Sequence, residues 1–491
     1  MAQDDATPDA ARFDVIVAGA GAAGLYTALA AAREGATVAL VSRSPLAESA
    51  SYWAQGGIAA ALAEDDSPDL HMRDTLDAGR GAGRRSAARV LCEESPGRVR
   101  DLESLGVRFD ADRQGALALG LEGGHARRRV VHAGGSATGR RITRELSALA
   151  AVHERIAVME RTTVSSLWVA EGRCLGVLAE ALDGGSRALR ARGTVLATGG
   201  AAALWERTSN PRGATGVGMA LAHAAGAELA DLELTQFHPT ALLHDDPRHD
   251  GFLITEAIRG EGARLITGDG ERFVDELAPR DEVTLAIQAQ LRAGQVVLLD
   301  MRAIDLGRFP NIVATLGAAG IDPAGVPVPV APAAHYTIGG VATDLDAGSS
   351  LPGLYAVGEA GCNGLHGANR LASNSLAECF VFGHRAARAA LAQPEHGGGF
   401  PPPAPGPSSR PPPETRAALW RLAGIERTRE GLEELLADPF PLASMIARSA
   451  LAREESRGVH QRADHRDTDA ALDHRHLVVD ARGAARWEDW P

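Results

Sequence analysis

The chain contains no lysine, so all 50 of its Lys+Arg residues are arginines. That absence removes two chemistries: a Walker-type phosphate loop, which needs a lysine on the phosphates, and any Schiff base on a lysine amine. Pyridoxal-phosphate enzymes, the other common handlers of amino acids, go with the second. Cysteine is scarce as well. Cys92, Cys174, Cys362 and Cys379 stand apart with no CxxC pair, which supports neither an iron–sulfur cluster nor a zinc site and reads as buried thiols. No metal is expected, and electrons leaving this chain must pass to another molecule. Long apolar runs are missing too. No segment is long enough to span a bilayer, and Met1 to Arg12 is polar and acidic, without the basic start and apolar stretch of a signal peptide. The expectation is a cytoplasmic protein with no membrane partner. Positive charge is in deficit: a formal net charge of -13 argues against nucleic acid or anionic membrane as a partner, so an anionic substrate must be gripped by local arginines.

What is present begins with length. A chain of 491 residues, 45% of them hydrophobic, calls for two or three domains with ample material for a core. Phe13 to Ala18 reads as a strand, Gly19-Ala20-Gly21-Ala22-Ala23-Gly24 follows, Leu25 to Arg33 has helical spacing, Gly35 is a stop signal, and Thr37 to Ser42 is the next strand. This is a βαβ unit with glycines where a dinucleotide pyrophosphate meets a helix N-terminus: no Cβ blocks its approach, and free backbone N–H groups face its charge. Alone, GxGxxG marks a tight turn as readily as a nucleotide site; the strand–turn–helix setting favours the site. The acidic residue that would bind a ribose hydroxyl at the end of the second strand is absent, since Val41-Ser42-Arg43 stands there. NAD loses support. A second element, Gly193 to Ala197 running into Thr198-Gly199-Gly200, fits FAD better. Gly397 to Glu414 is rich in Gly and Pro and reads as an exposed linker, after which Thr415 to Leu436 and Ser444 to Arg457 carry helical spacing.

His238, His335, Arg280 and Arg370 each lie beside Gly, Pro or small residues rather than on an apolar helical face, which suggests loops converging on a cleft. One such histidine is more often a hydrogen-bonded structural imidazole. Two of them with two arginines read as a clamp for a small dicarboxylate, because the planar guanidinium fork binds a carboxylate through two parallel hydrogen bonds.

From Ser51 onward the sequence resembles the family that joins the flavoprotein subunits of succinate dehydrogenase and fumarate reductase with L-aspartate oxidase. The motifs are Ala54-Gln55-Gly56-Gly57-Ile58-Ala59, Gln236-Phe237-His238-Pro239-Thr240, Thr255-Glu256-Ala257-Ile258-Arg259-Gly260-Glu261-Gly262, Ala278-Pro279-Arg280-Asp281, Pro332-Ala333-Ala334-His335-Tyr336-Thr337, and His366 to Leu376. The resemblance implies an α/β architecture: a Rossmann-type FAD-binding domain of residues 1–231 and 337–396, an α+β capping domain of residues 232–336 interrupting it, a linker at 397–414, and a C-terminal helical domain at 415–491. It implies that His238, Thr255, Glu256, His335 and Arg370 line the substrate and that Arg280 transfers the proton, although a purely electrostatic anchor is the alternative for an arginine. FAD would be held by Gly19, Ala20, Gly21, Ala22, Ala23, Gly24, Ser42, Arg43, Ser51, Gln55, Gly56, Gly57, Val164, Thr198, Gly199, Glu359, Ser373, Ser375 and Leu376.

Two features separate the branches of that family. Respiratory subunits carry a histidine shortly before Gln-Gly-Gly, to which FAD is covalently bonded; here Ala50-Ser51-Tyr52-Trp53 fills the region, and the first histidine is His71. FAD should be non-covalent. Leu121-Glu122-Gly123-Gly124-His125, followed by Arg127-Arg128-Arg129 and His132, resembles the aspartate oxidase pattern, with Glu122 placed to bind an ammonium group. For Glu122 the plain alternative is a solvated loop acid. The resemblance therefore implies L-aspartate as substrate, fumarate or O2 as acceptor, and iminoaspartate as a product feeding quinolinate and NAD synthesis, with quinolinate synthase as a candidate partner. The runner-up is a flavoprotein subunit of a membrane-bound complex; a third reading is flavin binding without turnover. One departure is plain: where the family has an FAD-contacting Asp, this chain has Val217 in Thr215-Gly216-Val217-Gly218.

Overall fold

The glycine turn after the first buried strand sets the chain's earliest crossing. Gly19 has φ +111° and lies so close to a neighbouring strand end that a Cβ on it would sit 2.2 Å from the Ala197 carbonyl oxygen; a Cβ on Gly24 would sit 1.9 Å from the Gly19 oxygen. Only glycine permits both approaches. The computed structural model describes residues 10–46, 48–396, 400–406 and 410–491. Residues 1–9 of the acidic N-terminus, and 397–399 and 407–409 of the expected linker, lie outside them.

Val15–Ala18 is the central strand of a five-stranded parallel sheet. Val38–Val41 and then Ile156–Met159 lie on one side, Gly193–Leu196 and then Leu354–Ala356 on the other. Four of these strands are wholly buried, which is why they read as continuous apolar runs rather than alternating ones. The alanine-rich helix Ala22–Arg33 stops where Gly35 takes φ +90°, as high helix propensity followed by a left-handed glycine dictates. Against it packs the helix Asn374–Leu391: Tyr26 and Phe380 meet edge to face at 5.2 Å, and Gly383 lets the helices close, since a Cβ there would lie 2.8 Å from Thr27 Oγ1.

The second unit is an antiparallel sheet in the order Thr235–Leu242, Val328–Thr337, Val297–Asp300, Arg264–Thr267. The helices Glu256–Gly260, Arg280–Arg292 and Pro310–Ala318 accompany it over a separate apolar core that includes Ile258, Val283, Ile287 and Leu299. The C-terminal helices are Pro413–Leu422, Arg429–Leu435 and Pro441–Ala452. The first begins inside the expected linker, because Pro413 suits a first helical turn. The expected run to Leu436 is interrupted around Gly424, with Thr428 capping the next helix by accepting from the Gly431 N–H. Among the described residues of the linker, Pro401, Ala404 and Pro405 are exposed, and Ser166 Oγ, on the strand Thr162–Ala170, donates to the Ala404 oxygen at 2.8 Å.

Beyond the helices the chain adds a hairpin that helical spacing did not announce. Arg475–Val479 pairs with Ala485–Asp489 and with Leu229–Ala230, and His476 Nδ1 lies 2.6 Å from Asp231 Oδ2 to lock the register. Nearby, Arg453 is paired with Glu233 at 2.7 Å and Glu455 at 2.8 Å, all fully buried. Arg457 binds Glu455 and also donates to the Arg80 carbonyl oxygen at 2.7 Å. Arg80 in turn pairs with Asp281, the neighbour of Arg280. The C-terminal segment thus braces the start of the helix Arg280–Arg292.

Replacing Gly24 with alanine forces a methyl into the Gly19 carbonyl and is expected to destabilise the protein by about 1–3 kcal/mol, as overpacking does. Thermal unfolding of the purified variant measures this; melting equal to the wild type would contradict it.

Candidate active site

The histidines are on strands, not on loops as their proline-rich surroundings suggested. His238 belongs to Thr235–Leu242 and His335 to Val328–Thr337, and the ladder between them is irregular. Gln236 pairs with Tyr336 but Phe237 pairs with Ala334, so His335 is the extra residue of a bulge; a second shift lies between His238 and Ala241, where Pro239 cannot donate. Bulges re-aim side chains, and here the two imidazoles meet edge to face at 5.2 Å. His238 Nδ1 accepts from the Thr240 N–H at 3.3 Å, leaving Nε2–H as a donor, and His335 Nδ1 lies 2.8 Å from Ser209 Oγ. Burial, reinforced by Arg280 for His238 and by Arg370 for His335, holds both imidazoles far below their usual pKa. They are neutral hydrogen-bond partners rather than cations.

Arg280 opens the helix Arg280–Arg292, and Arg370 lies in the turn before Asn374–Leu391. A single oxygen joins them: Gln236 Oε1 accepts from Arg280 Nη1 and from Arg370 Nη2, both at 3.1 Å. The Gln236 amide nitrogen is spent on Asn369 Oδ1 at 2.9 Å and the Arg370 oxygen at 3.0 Å, so its oxygen has to face the guanidinium groups. Arg370 is also stacked on Tyr336 at 4.6 Å and donates to Ser375 Oγ at 3.1 Å, while its buried Nε has no partner among the described residues. Burial and the Arg280 charge lower its pKa to about 10, which leaves it charged at neutral pH. Glu256, next to Thr255 at the helix start, accepts from Arg280 Nε at 2.8 Å and from the Gly123 N–H at 3.0 Å, with Arg259 at 3.5 Å. Burial would raise its carboxyl, but Arg280 and Arg259 override this and keep it ionised. Glu256, Arg280 and Arg370 border a cleft of about 170 Å³ with Asp74, Asp77, Arg80, Gly123, Gly124 and Asn369; His238, His335 and Thr255 are not among its lining residues.

Glu122 is 8% exposed, which rules out the solvated loop acid. Its Oε2 accepts from Ser373 Oγ at 2.6 Å and its Oε1 lies 3.3 Å from His132 Nε2. Burial opposes the charge, yet the His132 and Ser373 contacts bring its pKa down to about 2. Ser373 also accepts from the Gly57 N–H at 3.0 Å, which ties Glu122 to the Gln55-Gly56-Gly57 turn.

The residues expected to hold the cofactor are spread over several elements, with Gly19 to Gly24 at the start of the helix Ala22–Arg33. Ala20, Ala22 and Ala23 flank the Gly19, Gly21 and Gly24 turn. Ser51 Oγ accepts from the Ala22 N–H at 3.1 Å, and Gly199, with φ +75°, has nothing within 4 Å of where a Cβ would be. The buried oxygens Thr198 Oγ1, Gln55 Oε1 and Ser49 Oγ have no partner among the described residues. Open space over Gly199, a helix N-terminus and unpaired polar atoms fit an FAD molecule. Glu359, whose carboxyl burial raises to about 7, accepts from the Thr337 N–H at 2.8 Å. Ser42 follows the strand Val38–Val41 and bonds Ser44, Arg43 is exposed, and Val164 lies on Thr162–Ala170. Ser375 serves Arg370, and Leu376 belongs to the apolar core. Val217 starts the helix Val217–Ala224 beside Thr198: a Cβ on the next residue, Gly218, would lie 2.0 Å from Thr198 Oγ1. Sequence reasoning named no role for Gln236, Asn369, Arg259 or His132. Each lay within or beside a motif of the resemblance, and Arg259 also had i,i+3 spacing from Glu256.

Residues 14–376 match the family described as FAD binding domain, and residues 432–488 match fumarate reductase flavoprotein C-term. The chain is 47% identical over 481 residues to an L-aspartate oxidase of Mesorhizobium japonicum, covering 93% of this chain and 92% of that protein. It is 42% identical to an L-aspartate oxidase of Streptomyces coelicolor, covering 95% and 91%. Among solved structures, the quinol fumarate reductase FrdA of E. coli is similar, with a TM-score of 0.88 at 29% identity over 97% of this chain and 96% of that one. No helix among the described residues is long and apolar enough to cross a membrane. The chain belongs to the FAD-binding flavoprotein family of the fumarate reductase flavoproteins and L-aspartate oxidases.

Proposed function

We propose that this chain oxidises L-aspartate to iminoaspartate with FAD as cofactor, the first step of NAD synthesis through quinolinate. The observation that carries the reading is the pair of buried guanidinium groups of Arg280 and Arg370 held on one Gln236 oxygen, with the ionised Glu122 and Glu256 beside them. Two carboxylates of the substrate meet the arginines and the N–H donors of the neutral histidines. The ammonium meets Glu122. Relatives at 42–47% identity that are L-aspartate oxidases support this over a respiratory subunit, to which the likeness is at 28–31%.

Bound FAD supplies the acceptor for the hydride leaving Cα. The protein's part is to fix Cα in one place, an orientation effect that can remove several kcal/mol from a barrier, and to manage the nitrogen proton that is lost as C–N becomes C=N. We assign proton transfer to Arg280. An isolated guanidinium is too weak an acid and base for this, but its Nε–H is shared with Glu256, itself flanked by Arg259, so charge displaced at Arg280 is balanced by a neighbour. Fumarate or O2 takes the electrons onward, iminoaspartate passes to a consuming enzyme such as quinolinate synthase, and the reaction runs in the cytoplasm.

FAD is held without a covalent bond, because no histidine precedes Gln55. Acid precipitation is expected to leave the yellow cofactor in the supernatant; colour retained in a washed pellet would rule this out. Glu122→Gln keeps shape and removes charge. It is expected to lower aspartate oxidation by roughly tenfold or more, the loss of a charge-assisted hydrogen bond worth about 1.5–3 kcal/mol, while fumarate reduction stays the same or improves. Steady-state rates with both substrates decide it, and an equal fall in both would show that Glu122 only holds its loop.

A further inference from the structure

Apart from Glu256, Pro279 and Arg280, the cleft is lined from three segments of the chain, at 74–80, 123–124 and 369–372. One buried chain of hydrogen bonds ties all three. Arg129, fully buried, grips Asp66 through two bonds, at 2.8 and 2.9 Å, and donates both to Asp74 and, at 3.2 Å, to His125 Nδ1. His125 Nε2 reaches the Ala372 oxygen at 2.9 Å. An arginine can only donate and a carbonyl can only accept, so Nδ1 is the acceptor and Nε2 carries the proton. Burial, reinforced by the Arg129 charge, lowers the pKa of His125 and keeps it in this neutral form. The residue after Ala372, Ser373, has φ +60°, a left-handed backbone that serine rarely adopts. It is held there from both sides: His125 binds the carbonyl before it, and the Asn374 side chain after it is bound by His71 Nε2 at 2.8 Å and Thr75 Oγ1 at 3.0 Å. The turn Glu122–His125 is itself closed, by the His125 N–H donating to the Glu122 carbonyl oxygen at 3.2 Å with Gly124 at φ +83°. Its two end residues therefore grip two consecutive residues, Ser373 and Ala372.

We propose that His125 is a positioning residue for the ligand: as the joint between the Gly123–Gly124 wall and the Arg370–Ala372 wall, it fixes how Arg370 meets a carboxylate of a bound dicarboxylate. This rests on the reading of the cleft as a dicarboxylate site. His125 is not among the lining residues, and it acts through the Ala372 carbonyl. The side-chain bonds of Arg370 to Gln236 and Ser375 set the direction of its guanidinium, but where its backbone stands depends on the residues that follow it. A two-bond arginine–carboxylate fork requires placement to within about 0.5 Å. With the His125 N–H removed, the Ala372 carbonyl loses its donor and Ser373 is free to leave its left-handed backbone, so the turn that carries Arg370 drifts. Such drift weakens any dicarboxylate, with or without a nitrogen. In this His125 differs from Glu122, whose loss is expected to spare a ligand that has no ammonium group.

The test uses the FAD-loaded enzyme at equal flavin content. The dissociation constant of succinate, by calorimetry, and KM for L-aspartate are measured for the wild type, His125→Leu and His125→Gln. His125→Leu keeps apolar bulk and removes the donor, and both constants are expected to rise roughly tenfold, the size of one buried hydrogen bond lost. His125→Gln carries an amide N–H at about the reach of Nε2 and is expected to restore both constants to within about threefold of the wild type. A succinate constant unchanged in His125→Leu, or raised as much in His125→Gln as in His125→Leu, overturns the inference. His125→Asn, an amide too short to reach the Ala372 oxygen, replaces the leucine variant if that one does not fold, and the same rise is expected of it. A wild type that binds succinate but does not oxidise L-aspartate overturns the aspartate reading alone, and the succinate constants of the variants still decide this one. A wild type that neither binds succinate nor oxidises L-aspartate overturns both.

Discussion

One buried oxygen holds the site together. Gln236 Oε1 keeps Arg280 and Arg370 within 3.1 Å of the same acceptor, although like charges in a low dielectric repel. That arrangement persists because each guanidinium has other anchors. Arg280 leans on Glu256, and Arg370 on Ser375 and the face of Tyr336. Arg80, itself bound by Arg457 from the C-terminal segment, steadies Asp281 at the head of the same helix. Two guanidinium groups are thus held side by side in the cleft, and the distant ion network steadies the head of the helix that carries one of them.

The histidines extend this logic. A cationic His238 or His335 beside two arginines would add repulsion, and burial removes that option by keeping both neutral. They add donors without charge, which leaves the charge of the cleft to its arginines and to carboxylates such as Asp74, Asp77 and Glu256.

Much of this was legible in the sequence where the cause is local. The glycines after Val15–Ala18 announce a tight crossing because φ and the absence of a Cβ are properties of single residues. The arginine and histidine motifs announce a dicarboxylate because their chemistry is narrow. What stayed hidden depends on distant partners. Glu122 looks like a loop acid until Ser373, 251 residues away, binds it. Pro-flanked His335 looks like a loop residue until long-range pairing makes it a bulge. Gln236 shows its role only when Asn369 and Arg370 take its amide nitrogen. The C-terminal hairpin is unreadable without Asp231, 245 residues before His476.

The central claim is that the charge pattern of this cleft selects L-aspartate and delivers its Cα hydride to FAD. Anaerobic mixing of the yellow holoenzyme with L-aspartate, D-aspartate and succinate tests it directly, with flavin absorbance as the readout. The account predicts rapid bleaching by L-aspartate and little or none by D-aspartate or succinate. Bleaching by succinate alone, or by none of the three, would contradict it.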